Sequence, residues 1–480
     1  MRPTIRSVLL AVLILPAMVI AELPLARAAR EAPAATQEHQ QAVAVTIYNG
    51  NLGLVKDIRR LRLPAGIYDL KFMDVAAQIN PTTVHLKSLT APTGLRILEQ
   101  NYEYDLLNPQ KLLEKYVGKQ VMLWEKNYYT GEERQVEALL LSVNGGPIYQ
   151  IGGAIHLGHR GQVILPSIPE DLIATPTLVW RLENSRPEPQ LVEVTYLTGG
   201  ITWRADYVLT LNADDNRTDL GGWVTIDNRS GATYKNATLK LVAGDVNRAR
   251  DERELADAMR QMPAKSAVRE SFQEEGFFEY HLYSLQGKTT IKQNQSKQIS
   301  LLSSTDVPIK KQMFYYGAQH YYRNRYGAPI SNQKVGVYLE VANTKANRLG
   351  IPLPKGVVRV YKADRSGSLQ FIGEDRIDHT PKDEKVKIKM GEAFDVVGER
   401  IQRDWRKIAS HVYEVEWEIA LRNHKEEPVE VTVVEPIPGD WQVLYATHAY
   451  EKVEAHTLTF LVTVPKESGV KIRYRVRLTF

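Results

Sequence analysis

From Val43 to the last residue, apolar and polar side chains alternate in short runs separated by glycine, proline and asparagine. A period of two puts successive side chains on opposite faces, so each run predicts a strand buried on one side. Residues 43–48, 54–63, 67–72 and 84–89 form a first group, with turns at Pro64-Ala-Gly66 and Asn80-Pro81. The clearest stretch is 201–245. There Trp203, Ala205 and Tyr207 alternate, Trp223-Val-Thr-Ile226 runs into Asp227-Asn228, and Leu239, Leu241 and Ala243 alternate up to Gly244.

Only two segments break the pattern. Asn108 followed by Pro109 predicts a capped short helix over 108–116. Residues 245–262 are charged and helical in composition, and 263–276 read as a linker. The runs 121–124, 136–143, 147–151 and 154–157, joined by glycine-rich turns, predict a small SH3-like barrel.

One element recurs: a core strand that stops at an asparagine. It ends at Asn49, Asn184, Asn228, Asn343 and Asn423. Asparagine tolerates left-handed dihedrals and hydrogen-bonds its own turn, which suits the exit of a strand. The unequal intervals between them exclude a propeller or solenoid and fit immunoglobulin-like sandwiches of unequal size. The expected fold is therefore all-β: several immunoglobulin-like β-sandwich domains, a small SH3-like barrel and one short helical connection.

A chain of 480 residues is too long for one core. The expected divisions are a signal peptide (1–28), a flexible leader (29–41), an N-terminal β domain (42–100), a short helix with the small barrel (101–168) and a β-sandwich (169–245). A helix and linker (246–276), a β domain (277–400) and a C-terminal β-sandwich (401–480) follow.

Several motifs resemble the domain-of-unknown-function 4139 family. They include Trp203-x-Ala205-x-Tyr207, Trp223-Val-Thr-Ile-x-Asn228-x-Ser-Gly231 and Leu239-x-Leu-x-Ala-Gly244. Asn347-x-Leu-Gly350-x-Pro-Leu-Pro354 and Phe371-Ile-Gly-Glu-Asp375-x-Ile-x-His379 continue the likeness, which spans roughly 176–480. The resemblance implies an exported bacterial β-protein of undefined activity and transfers no catalytic residue. The Val45-Thr-Ile-Tyr-Asn49-Gly50 unit also resembles the first domain of mucoidy-inhibitor-like relatives, with the small barrel standing where their coiled coil follows.

Destination comes from the first residues. Arg2 and Arg6 precede an apolar run from Val8 to Ala21, and Ala26-Arg27-Ala28 is a small-x-small cleavage site. The run is shorter than the roughly 20 residues that span a bilayer, so export with cleavage near Ala28 to the periplasm or outside is expected. No later segment predicts a transmembrane helix. The chain has no cysteine, which excludes disulfides, thiolate metal sites, thiol nucleophiles and a cysteine-linked lipid anchor. A net charge of +5, dispersed along the chain, gives no footprint for nucleic acid.

Catalytic signals are sparse. No G-x-S-x-G motif occurs. His156-Leu-Gly-His159 lacks the glutamate of a zinc helix, and the acidic stretch 212–223 has Arg217 where a calcium loop needs glycine. No metal or cofactor is implied. Asp375 and His379 share one face of a predicted strand, where a carboxylate orients an imidazole for general-base work. The run 314–326 carries Tyr315, Tyr316, Tyr321, Tyr322, Arg325 and Tyr326, the residue types of contact surfaces. The last strand alternates to an aromatic terminus at Phe480, as outer-membrane strands do. The reading is an exported envelope protein that works by binding an envelope protein or polysaccharide. A periplasmic hydrolase using Asp375 and His379, and an outer-membrane barrel, are the alternatives.

Overall fold

The alternating runs gather into four sheets in a computed structural model that describes residues 33–103, 107–126, 129–169, 172, 175–244, 272–277 and 280–480. The signal peptide and the helix expected from 245 to 262 lie outside the described residues.

The first strands are β1 (Ala34–Ala35), β2 (Gln40–Tyr48), β3 (Leu52–Arg62), β4 (Gly66–Met73), β5 (His85–Ser88) and β6 (Leu95–Glu103). Helix α1 (Pro109–Lys115) precedes β7 (Gln120–Lys126), β8 (Glu133–Ser142), β9 (Ile148–Ile151), β10 (Ala154–Leu157) and β11 (Gln162–Ile164). Then come β12 (Thr177–Asn184), β13 (Pro189–Thr198), β14 (Ile201–Leu211), β15 (Arg217–Asn228), β16 (Tyr234–Ala243), β17 (Phe272–Phe277) and β18 (Tyr280–Ile291). The long strand β19 (Gln295–Tyr316) leads to β20 (Ile330–Ala342), β21 (Gly356–Ala363), β22 (Leu369–Ile377) and β23 (Lys385–Ala409). The chain ends with β24 (Val412–Asn423), β25 (Val429–Pro436), β26 (Asp440–Ala446), β27 (Glu451–Glu454), β28 (Thr457–Val464) and β29 (Ser468–Thr479).

Strands close in sequence are often far apart in the sheets. One sheet runs β17-β18-β16-β2-β3-β13-β5, another β1-β4-β12-β6, and their apolar faces share one core. Phe72 meets Trp180 edge-on at 5.6 Å inside it. The leader is not free as expected: β1 pairs with β4 in parallel, and the wholly buried Arg59 donates to the Ala35 carbonyl at 2.7 Å. Residues 272–276, expected as linker, instead belong to β17 and pair with β18.

The largest sheet is ordered β22-β21-β14-β15-β19-β20-β23-β24-β29-β26, with β25, β28 and β27 continuing from β19. Its continuity rests on two long strands, β19 of 22 residues and β23 of 25. At about 3.3 Å per residue each is long enough to serve two cores. Leu301, Val307 and Ile309 of β19 lie in the first core, Met313 and Tyr315 in the second.

Among the described residues no sheet closes into a barrel. The segment expected to be SH3-like is an open sheet, β10-β9-β8-β7-β11, whose end strands pair on one side only. Helix α1 and Leu165 cover its small core in place of a closing strand, and the Tyr116 hydroxyl donates to the Ser167 carbonyl at 2.7 Å. The outer-membrane reading fails on the same ground, and on charge. Opposite the buried Ile472, Tyr474, Val476 and Leu478, β29 carries Lys471, Arg473, Arg475 and Arg477, which do not suit a lipid-facing surface. No helix among the described residues is long and apolar enough to cross a membrane.

The strand-ending asparagines act through hydrogen bonds, and Asn184, Asn228, Asn343 and Asn423 are almost wholly buried. None of the four has a positive φ, so left-handed tolerance is not their reason. Asn228 donates to the carbonyls of Ala232 (2.9 Å) and Lys292 (3.0 Å) and accepts from the Ser230 N–H (3.1 Å). Asn343 ties Ile351 and Pro381, and Asn423 ties Glu427 and Pro465. Each amide thus fastens its own turn to a distant one and satisfies backbone groups that burial would otherwise strand. Asn49 makes a single long bond to the Trp203 carbonyl, at 3.4 Å. Replacing Asn228 with alanine is expected to cost about 1–3 kcal/mol in urea unfolding, and Asn49→Ala less than about 1. Equal costs would contradict this account.

Candidate functional site

Strand β19 sets the site because its two faces do different work. Odd residues Met313 and Tyr315 point inward, while Lys310, Gln312, Phe314 and Tyr316 alternate with them on the outer face.

Beneath the strand lies a buried polar knot. Arg400 of β23 and Glu435 of β25 are both fully buried and pair in a bidentate manner, at 2.8 and 2.5 Å. The hydroxyls of Tyr322 and Tyr474 donate to Glu435 Oε2 at 2.7 and 2.8 Å. The guanidinium also faces the rings of Tyr321 (4.9 Å), Trp417 (5.4 Å) and Tyr315 (5.5 Å). Gln333 joins Tyr315 and Tyr321 by accepting from one hydroxyl and donating to the other. Burial works against the Arg400 charge, but the Glu435 carboxylate outweighs it and holds the guanidinium above its ordinary range. Burial, followed by the Glu435 charge, pushes the Tyr322 and Tyr474 hydroxyls well above theirs. Gly398 is required here, since a Cβ at that position would overlap the Tyr315 ring.

The expected contact loop is therefore mostly interior. Tyr315 and Tyr322 are buried, and Tyr321 and Tyr326 pack on the second core. Tyr316 and Arg325 alone of the six face solvent. The signal that reveals the knot is parity. Glu435 follows Val431 and Val433 on the inward face of β25, where a charge needs a buried partner.

Above the strand is an open cleft of about 610 Å³ between the β14–β15 hairpin, β19 and β25. Lys310, Lys311, Lys362 and Lys425 line it, with Gln312, Thr432 and Leu461. The Gln312 Oε1 atom is buried and has no hydrogen-bond partner. Thr432 is the register neighbour of Phe314, so the cleft continues into an aromatic strip. Phe314 stacks on Tyr316 at 5.7 Å, Tyr338 meets Phe314 edge-on at 5.4 Å, and Lys387 lies 3.5 Å over Phe314.

Residues 192–480 match the family model described as a domain of unknown function, DUF4139. The chain belongs to the DUF4139 family. No curated protein matches it. The DUF4139 segment contains the knot, the cleft and the aromatic strip. Its first part is not self-contained, because β16 pairs with β2 and β13 with β3 and β5 from outside the match.

Asp375 and His379, the hydrolase candidates, are both used by the DUF4139 scaffold. Strand β22 packs beside β23, where Gly373, at φ 155°, leaves room for the Met390 carbonyl. Asp375 bridges this seam by accepting the Lys389 N–H at 2.6 Å, and its other oxygen accepts the Arg376 N–H at 2.8 Å. His379 Nδ1 accepts the Lys355 N–H at 3.1 Å, fixing the Ile351-Pro-Leu-Pro354 loop. Tyr207 and Asn343 hold the same loop through Pro354 and Ile351. Elsewhere, His159 pairs with Glu125 at 2.9 Å, while His156 is exposed. Asp215, in the acidic hairpin, is bound by Lys311 (2.7 Å) and Lys362 (2.5 Å). Burial raises its carboxyl, and the two ammonium groups more than offset this.

The outer face of β24 and β29 is a ladder of ion pairs fixed by register. Glu414 faces Arg477, Glu416 faces Arg475 and Glu418 faces Arg473, with contacts of 2.6, 2.6 and 2.7 Å. Hydrogen bonds from Arg403 and Arg473 pull the Glu418 carboxyl from its ordinary 4.5 to about 2. Its contribution is thus complete above about pH 4.5 and is lost as pH falls toward 2. Stability of the wild-type protein is expected to decline through that window, more steeply than that of Glu418→Gln in parallel urea titrations. Matching slopes would rule out the pair as a source of acid sensitivity.

Proposed function

We propose that this DUF4139 protein is an exported, non-catalytic binding module of the cell envelope. The observation that carries the reading is the division of labour on β19. Its inner side is locked by Arg400 and Glu435, and its outer side presents a polar cleft and an aromatic strip on a rigid strand. Asp375 and His379 support the same conclusion, because both Asp375 oxygens and His379 Nδ1 accept backbone N–H groups that hold a seam and a loop. The leader supports export, through its basic start, apolar run and Ala26-Arg27-Ala28 site. The Val45-Thr-Ile-Tyr-Asn49-Gly50 hairpin supports kinship with mucoidy-inhibitor-like proteins. Partners of fitting chemistry are an envelope polysaccharide or an envelope protein.

Fractionation of cells expressing the full tagged chain tests the reading, combined with crosslinked recovery from the envelope. The expected product begins near residue 29 by N-terminal sequencing, lies outside the cytoplasm, and brings down an envelope component. An uncleaved cytoplasmic chain would contradict export. A cleaved chain recovered alone would contradict the binding role.

A further inference from the structure

The geometry points to an uncharged polysaccharide chain as the ligand of the β19 cleft and strip, an assignment that rests on the binding-module reading. Four features of the surface converge on that class.

The cleft is balanced in charge. Asp214, Asp215, Glu427 and Glu430 offset the four lysines, so no net field selects an ion of either sign. What the lining offers is ammonium donors beside carboxylate acceptors, and a sugar hydroxyl both donates and accepts. Paired donors and acceptors along an open trough therefore fit rows of neighbouring hydroxyls.

Gln312 is at the floor with a buried, unpartnered Oε1. Leaving such an acceptor unsatisfied costs about 1–3 kcal/mol. The residue itself is only half-buried, so a turn of its amide into the trough would let a ligand hydroxyl satisfy that oxygen, and its neighbours on the same face of the strand are Lys310 and Phe314.

Beyond the floor, the aromatic strip ends in an open ring. Lys387, Phe314 and Tyr316 are arranged in a pile, and Tyr316 keeps 45% of its surface exposed. The C–H face of a pyranose stacks on such a ring, burying apolar area while its hydroxyls remain on the rim. Outward residues two apart on a strand are separated by about 7 Å. Lys310, Gln312, Phe314 and Tyr316 thus form a linear track that a chain of sugars can follow from the cleft to the ring. Because the knot beneath fixes β19, little ordering is needed when the chain binds.

Affinity electrophoresis of the full mature protein is the test, in gels containing a neutral β-glucan (hydroxyethylcellulose), with acidic polygalacturonate as the comparison. Titration with an N-acetylglucosamine hexamer extends it. The expected result is retardation by a neutral glycan that persists when salt is raised, since the contacts are not ionic. Tyr316→Ala and Gln312→Leu should each weaken binding about tenfold, equivalent to about 1.4 kcal/mol, with unchanged melting temperatures. If Gln312→Leu fails to fold, Tyr316→Ala decides alone. Three results would overturn the assignment: no retardation by either neutral probe, retardation only by polygalacturonate that salt abolishes, or neutral binding unchanged in the variants. An envelope protein recovered by crosslinking alongside any of these would leave the binding module standing without the sugar. Recovery of nothing would remove both.

Discussion

Arg400 and Glu435 meet with no exposure to solvent, and the C-terminal half of the molecule is arranged around them. Withdrawing two charges from water is costly, and attraction alone repays it only when the remaining polar atoms are also satisfied. Here the carboxylate takes two guanidinium bonds and two tyrosine hydroxyls, and three aromatic rings surround the cation, whose Nε alone has no hydrogen-bond acceptor. The partners are drawn from six places: β23, β24, β25, β29, the long strand β19 and the turn Gln319–Tyr322. Displacing any one of them would leave a buried charge or hydroxyl unpaired. That constraint fixes β19 from below, and the outer surface inherits its rigidity.

Much of this architecture was legible in the chain. Period-two alternation marked the strands because burial on one face requires it, and the strand-ending asparagines marked real corners. Their mechanism was less visible. Asn228 and Asn343 bond residues up to 64 positions away, so the local sequence suggests a turn without revealing the tie across the fold. The absence of a closed barrel in the small sheet was also beyond local reading, since strand length and turns do not specify whether the ends meet.

The tyrosine-rich run shows why composition misleads about exposure. Tyrosine and arginine together look like a contact surface, yet the partners of Tyr322 are Glu435 and Tyr474, 113 and 152 residues later. Parity carried the better signal. Glu435 and Tyr474 both occupy inward positions on alternating strands, and a glutamate there requires a partner of opposite charge. Asp375 and His379 teach a related lesson: residues able to catalyse are also able to satisfy backbone groups at a seam or loop, and their type alone does not distinguish the two uses.

The dependence of the C-terminal half on the ion pair is measured most directly by a double-mutant cycle. Arg400→Met, Glu435→Leu and the combined variant would be compared in urea unfolding, followed by tryptophan fluorescence. Each single substitution strands a buried charge and is expected to cost about 3–5 kcal/mol. The combined variant, with no charge left to desolvate, is expected to be more stable than either single one. Additive losses in the double variant would contradict the account, because they would mean that the two side chains stabilise the protein independently.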